Sequence, residues 1–132
     1  MEIIPAIIPK SLEDLEDKLS YIRRAAPVVQ IDITDGVFAG RPSWPLTDEI
    51  GFQRMITEAE GLPFWGDFVF EVDLMIAETE KRTEDFLRAG FSRVVHHFGA
   101  AHDMHKALSL AKQYDAEAGI ALLPSDDPEL LR

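Results

Sequence analysis

The sequence predicts an α/β fold, a parallel sheet with helices packed outside it. Short β-branched runs alternate with segments of helical apolar spacing along all 132 residues. Cap-forming residues open the helical segments and glycines close them. The stretches between successive strands are long enough to hold a helix, as parallel pairing requires.

Glu2–Ile8 is a short apolar run. Ser11 follows as an N-cap, with Leu12, Leu15, Leu19 and Ile22 at helical spacing to about Arg24. Val28–Ile33 reads as the second strand. The link from Val37 to Thr47, containing Pro42, Trp44 and Pro45, exceeds the usual βα loop and is expected to cover a substrate. Thr47 or Asp48 caps a second helix carrying Ile50, Phe52, Met55 and Ile56, closed by Gly61. Phe64, Trp65 and Phe68 form an aromatic cluster whose expected role is packing. The third strand spans Val69–Leu74, and a third helix runs from about Glu78 to Ala89, stopped by Gly90. Ser92–Phe98 is the fourth strand. A fourth helix, Ala101–Tyr114, sets Met104, Ala107, Leu108 and Ala111 on one face. Gly119–Leu123 is the fifth strand, and Asp126–Leu131 begins another helical turn. No linker interrupts residues 1–132, so one domain is expected.

Composition narrows the partners. Net charge is −11, from 24 acidic against 13 basic residues. Such a surface repels nucleic acid and anionic lipid, both of which are gripped by Lys and Arg. An anionic small molecule needs a locally positive site. The chain has no cysteine, which excludes disulfides and thiolate chemistry and agrees with a reducing cytoplasm. Met1–Ile8 is broken by Pro5 and carries no preceding basic region, so it reads as neither signal peptide nor membrane span.

Val28-Val-Gln-Ile-Asp-Ile-Thr-Asp-Gly36 carries the chemistry. Gln30 and Asp32 are two residues apart in an apolar strand, so both point to one side of the sheet. A carboxylate there is costly unless it is paired, bound to metal or lining a site. Asp32 is therefore the functional candidate, whereas Asp35, next to Gly36, reads as a turn residue. His96 and His97 alternate across the fourth strand, one inward and one toward the helices. His102 and His105 lie three apart, a spacing compatible with metal, on a helical face that is expected to be solvated; Lys10 is the cation placed at the catalytic end of the first strand, where surface solubility explains it equally well.

These segments resemble the ribulose-phosphate 3-epimerase family, phosphosugar-binding (β/α)₈ barrels. The matching pieces are Ile4-Pro-Ala-Ile-Ile8, Gln30-Ile-Asp-Ile-Thr-Asp-Gly36, Val72-Asp-Leu-Met-Ile76, Glu84-Asp-Phe-Leu-Arg-Ala-Gly90, Val94-Val-His-His97 and Gly119-Ile-Ala-Leu-Leu-Pro124, in collinear order. The resemblance implies epimerisation beside a ketone: one acidic group removes a proton, another returns one to the opposite face, and a divalent metal stabilises the enediolate. By position, Asp32 matches the family's acid/base and metal ligand. Met75 and His97 match residues of the substrate pocket.

Other positions depart from the family pattern. Gln30 and Asp73 stand where ligand histidines are expected, Ala6 replaces a substrate-contacting Ser, and Leu123 replaces a common Asn. Gln30, Asp32 and Asp73 are then a candidate three-oxygen site for Mg²⁺ or Mn²⁺ in preference to Zn²⁺. The alternative is a relic that hydrogen-bonds internally and holds no ion. A decarboxylase variant of the barrel would need Asp-x-Lys on the third strand, but Leu74 and Met75 follow Asp73.

A complete barrel needs eight βα units. The five strands here imply a partial barrel over residues 1–132, with the second acid and the phosphate loops on strands beyond it. The exposed edge implies either a piece of a longer protein or pairing with a second copy. Two functions follow: a pentose-phosphate epimerase that is inactive as this piece alone, or a diverged phosphosugar-binding barrel without epimerase chemistry.

Overall fold

The computed structural model describes residues 1–132. In chain order the elements are β1 Ala6–Ile7, α1 Leu12–Ile22, β2 Val28–Thr34, α2 Glu49–Thr57, β3 Val69–Met75, α3 Thr83–Ala89, β4 Arg93–His97, α4 Met104–Gln113 and β5 Glu117–Ala121. Local chemistry sets the helix starts. Ser11 Oγ accepts from the Asp14 amide at 3.0 Å, Asp48 from Gly51 at 3.0 Å, and Asp103 from Lys106 at 3.0 Å. Each bond satisfies one of the amides left without a partner in a first turn.

All five strands are parallel and stand side by side in sequence order, β1-β2-β3-β4-β5. Sequential parallel order with a helix in each of the four connections is the arrangement of a (β/α) barrel, of which this is a part. The strands bury alternate residues. Val29, Ile31 and Ile33 of β2 and Phe70, Val72 and Leu74 of β3 face the helices and are almost completely buried. The opposite face, the lumen side, carries Gln30, Asp32, Glu71 and Asp73, all half-buried.

Between sheet and helices lies a single core of 21 residues. A line of aromatic rings runs through it: Trp44 to Phe52 at 5.8 Å, Phe52 to Phe86 at 5.3 Å, Phe86 to Phe91 at 5.8 Å, and on through Phe70 to Phe68. Burying each of these side chains contributes about 1.5–3 kcal/mol. The aromatic cluster expected around residues 64–68 divides. Phe68 joins the core, the Phe64 ring lies 4.7 Å from the Arg23 guanidinium carbon, and Trp65 is 71% exposed.

Several element boundaries differ from the sequence expectation: β1 takes only Ala6–Ile7 of the Glu2–Ile8 run, and α2 ends at Thr57, ahead of Gly61. The helix expected over Glu78–Ala89 is broken. Glu78 takes a left-handed conformation (φ 53°), Thr79–Lys81 forms one 3₁₀ turn, and α3 starts only at Thr83. The cause is Thr79, fully buried and bonded through Oγ1 to His96 Nδ1 at 3.0 Å, which draws this turn onto the sheet. The fourth helix starts at Met104, because Asp103 caps it and Phe98–Ala100 makes its own 3₁₀ turn. The fifth strand lies two residues earlier than Gly119–Leu123, since pairing with β4 begins at Arg93 opposite Glu117. Ile50, expected on the core face of α2, is exposed. No helix is long and apolar enough to cross a membrane.

Candidate active site

Strand register stacks the lumen-facing side chains in rows. The lowest row sets Ala6, Gln30, Glu71, Arg93 and Glu117 side by side. Arg93 lies 3.9 Å from Glu71 and 3.4 Å from Glu117. Burial pushes the Glu71 carboxyl above its usual range, and the Arg93 charge opposes that shift. The next row is Asp32, Asp73, Val95 and Gly119. The upper row pairs Thr34 with Met75 on one side and His97 with Ala121 on the other.

Two polar pairs form within these rows. Gln30 Nε2 donates to Asp32 Oδ1 at 2.6 Å, while Asp32 Oδ2 makes no hydrogen bond. His97 Nε2 meets Asp73 Oδ1 at 2.9 Å. Burial raises the Asp73 carboxyl. The facing His97 lowers it, and the neighbouring Asp32 charge raises it further. His97 Nδ1 is buried without a partner, and the ring packs on Phe38 with centroids 5.4 Å apart.

Phe38 reaches His97 from the long excursion after β2, and Asp35 holds that excursion in place. Asp35 Oδ1 accepts from the amides of Val37 (2.9 Å) and Phe38 (2.8 Å), and Oδ2 accepts from Ala77 (2.8 Å). Burial alone would raise its pKa. These amides outweigh burial and lower it. Asp35 is thus the turn residue that its place beside Gly36 suggests. The far end of the excursion is pinned as well: the Thr34 amide donates to Ser43 Oγ at 3.0 Å, and the Trp44 amide to the Pro9 carbonyl at 2.9 Å.

Of the residues singled out from sequence, Gln30, Asp32, Asp73, Met75 and His97 share the lumen face, in three adjoining rows. Ala6 is exposed on the short first strand, level with Gln30. His96 points the other way and is fully buried under the helices. The sequence reading missed Phe38. Its only signal was membership of a loop long enough to cover a site. The largest cleft, about 340 Å³, lies elsewhere, at the N-terminal ends of β3 and β4 between Met55, Trp65 and Arg88.

A row of paired acids at the C-terminal side of parallel strands, roofed by a pinned loop, is where (β/α) barrels do their chemistry. The model of the ribulose-phosphate 3 epimerase family matches residues 2–131. The chain belongs to this family. It is 30% identical over 128 residues to a ribulose-phosphate 3-epimerase of Chlamydia pneumoniae, covering 96% of this chain and 52% of that protein. It is 28% identical over 130 residues to one of Chlamydia muridarum (strain MoPn / Nigg), covering 98% and 53%. The chain spans about half the length of the curated relatives it matches.

The three-oxygen metal site expected from Gln30, Asp32 and Asp73 does not fit an ion. Gln30 turns its N–H end, not its carbonyl, toward Asp32, and His97 holds Asp73. Nowhere in the chain do three or more His, Asp or Glu side chains stand close enough together to hold a metal.

Proposed function

We propose that residues 1–132 form one partial barrel domain of a ribulose-phosphate 3-epimerase-like isomerase that acts on a pentulose 5-phosphate. The observation carrying this reading is Asp32: a half-buried lumen carboxylate, oriented by Gln30 at 2.6 Å and left with one unbonded oxygen. Such a group can take the proton from the carbon beside a ketone. Met75 and Ala6 would wall the substrate, with His97 contacting it. The acid serving the opposite face and the grip on the phosphate belong to strands beyond these five, so the chain alone is expected to be inactive. A cytoplasmic setting fits the cysteine-free sequence, whereas a phosphosugar, being an anion, needs a locally positive site on so acidic a chain.

The test is exchange of solvent deuterium into ribulose 5-phosphate, followed by NMR, with this chain and with any longer protein that carries it. Exchange is expected only in the longer protein, falling by about 10²–10⁴ with Asp32→Asn. Exchange by the 132 residues alone would refute the two-acid argument. A longer protein unaffected by Asp32→Asn would refute the role of Asp32.

The mismatch between the lumen and a metal supports a second reading, a phosphosugar-binding barrel without epimerase chemistry. Saturable binding of ribulose 5-phosphate with no exchange in the longer protein would select it.

A further inference from the structure

Asp32 and Asp73 stand directly opposite each other on neighbouring parallel strands. Adjacent strands are about 4.8 Å apart, so two carboxylates placed this way repel unless countercharge or donors are supplied. A divalent cation between them is one solution, and this chain shows another. The Gln30 amide donates to one acid at 2.6 Å, and the His97 imidazole meets the other at 2.9 Å. The remaining places in the row belong to Val95 and Gly119, which carry no side-chain donor for an ion.

A cation entering here would meet one Asp73 oxygen already bonded to imidazole. On Asp32 it would face the N–H end of an amide. Hard cations such as Mg²⁺ and Mn²⁺ give up bound water reluctantly and need several converging oxygens in exchange. We infer that this half of the lumen works without a resident divalent cation: the Gln30–Asp32 and Asp73–His97 pairs replace it, and Asp32 Oδ2 meets the ligand with no ion between. The inference stands on side-chain pairing, not on turnover.

The experiment is calorimetric titration of the chelator-stripped 132-residue chain with MnCl₂, MgCl₂ and ZnCl₂. Asp32→Ala, Asp73→Ala and the double variant Gln30→His/Asp73→His are titrated in parallel. The wild-type chain is expected to show no saturable uptake that either alanine variant removes. The double variant places two imidazoles beside the Asp32 carboxylate, a donor set that suits zinc, and is expected to bind Zn²⁺ tighter than the wild type by about ten-fold or more. Far-UV circular dichroism establishes that each variant is folded. If the double variant does not fold, Gln30→His alone carries the same expectation with a smaller gain. Uptake of Mn²⁺, Mg²⁺ or Zn²⁺ by the wild type that is abolished by Asp32→Ala or Asp73→Ala would overturn the inference. So would a folded histidine variant that gains no zinc, because the positions would then not converge. Absence of isomerase turnover leaves the result unchanged, since uptake is read as heat and not as product.

Discussion

His96 should make the fold acid-sensitive well above the range in which carboxylates titrate. Its side chain is completely buried beneath the helices, with Nδ1 on Thr79 Oγ1 at 3.0 Å and Nε2 without any partner. Burial lowers its pKa from 6.5 to about 4, and the nearby buried Glu80 only softens that fall. The folded chain therefore holds this proton less tightly than the unfolded chain does. Stability is full above the unfolded value, declines as pH falls through 6.5, and levels off near 4. The two values give a loss of about 2 kcal/mol between about pH 8 and about pH 5, approaching about 3 kcal/mol at about pH 4. A domain of this kind has a total stability of about 5–15 kcal/mol, so the effect is large. The shifted acids around the sheet act with both signs. Asp73 and Glu71 are raised, chiefly by burial, and add stability as pH falls through the carboxylate range. Asp35 is lowered and withdraws stability only below its usual value. Urea unfolding followed by circular dichroism across this range should show the decline, and His96→Leu should flatten it. The slope is the readout, because His96→Leu also strips Thr79 Oγ1 of its partner and so costs about 1–3 kcal/mol at every pH. A flat wild-type profile, or an unchanged slope in His96→Leu, would refute the reasoning.

Phe52→Ala removes a fully buried ring packed edge-on against Trp44 and tilted against Phe86, and should cost about 3–5 kcal/mol in urea unfolding; a loss below about 1 kcal/mol would mean that the aromatic line does not support the core. Asp35→Ala deletes three carboxylate–amide bonds, one of them to Ala77 at the end of β3. It should cost about 2–3 kcal/mol and expose the excursion to protease at residues 36–43. Unchanged protection there would show that Ser43 and Trp44 hold the loop by themselves.

Most of the fold was legible because its signals are local. The Ser11 and Asp48 caps, the β-branched runs and the closing Gly90 act through neighbours in sequence. The misplaced boundaries depend on partners elsewhere. Whether Glu78 continues a helix is decided by Thr79 meeting a histidine 17 residues further on. The start of β5 is decided by Arg93, which pairs with Glu117, and not by the apolar run that begins at Gly119. Trp65 and Phe68 look equivalent in sequence, but only Phe68 lies against the sheet.

The candidate site divides in the same way. A carboxylate among isoleucines marks Asp32 in any reading of the chain. Two-residue periodicity puts Asp73 on the same face, but only the zero-offset register makes the two acids neighbours; a shift of two residues would set Asp32 beside Glu71 or Met75. Once they are adjacent, each acid needs a donor, and the two donors come from opposite directions. Gln30 lies two residues before Asp32 and approaches from the N-terminal side of the strands. His97 sits one row above Asp73 and approaches from the C-terminal side, with Phe38 packed on its ring. Ligands reach such a sheet from its C-terminal side. Asp73 is therefore the covered acid and Asp32 the open one. This asymmetry supports the proposed role of Asp32 in proton transfer and leaves His97 to hold Asp73 beside the proposed substrate.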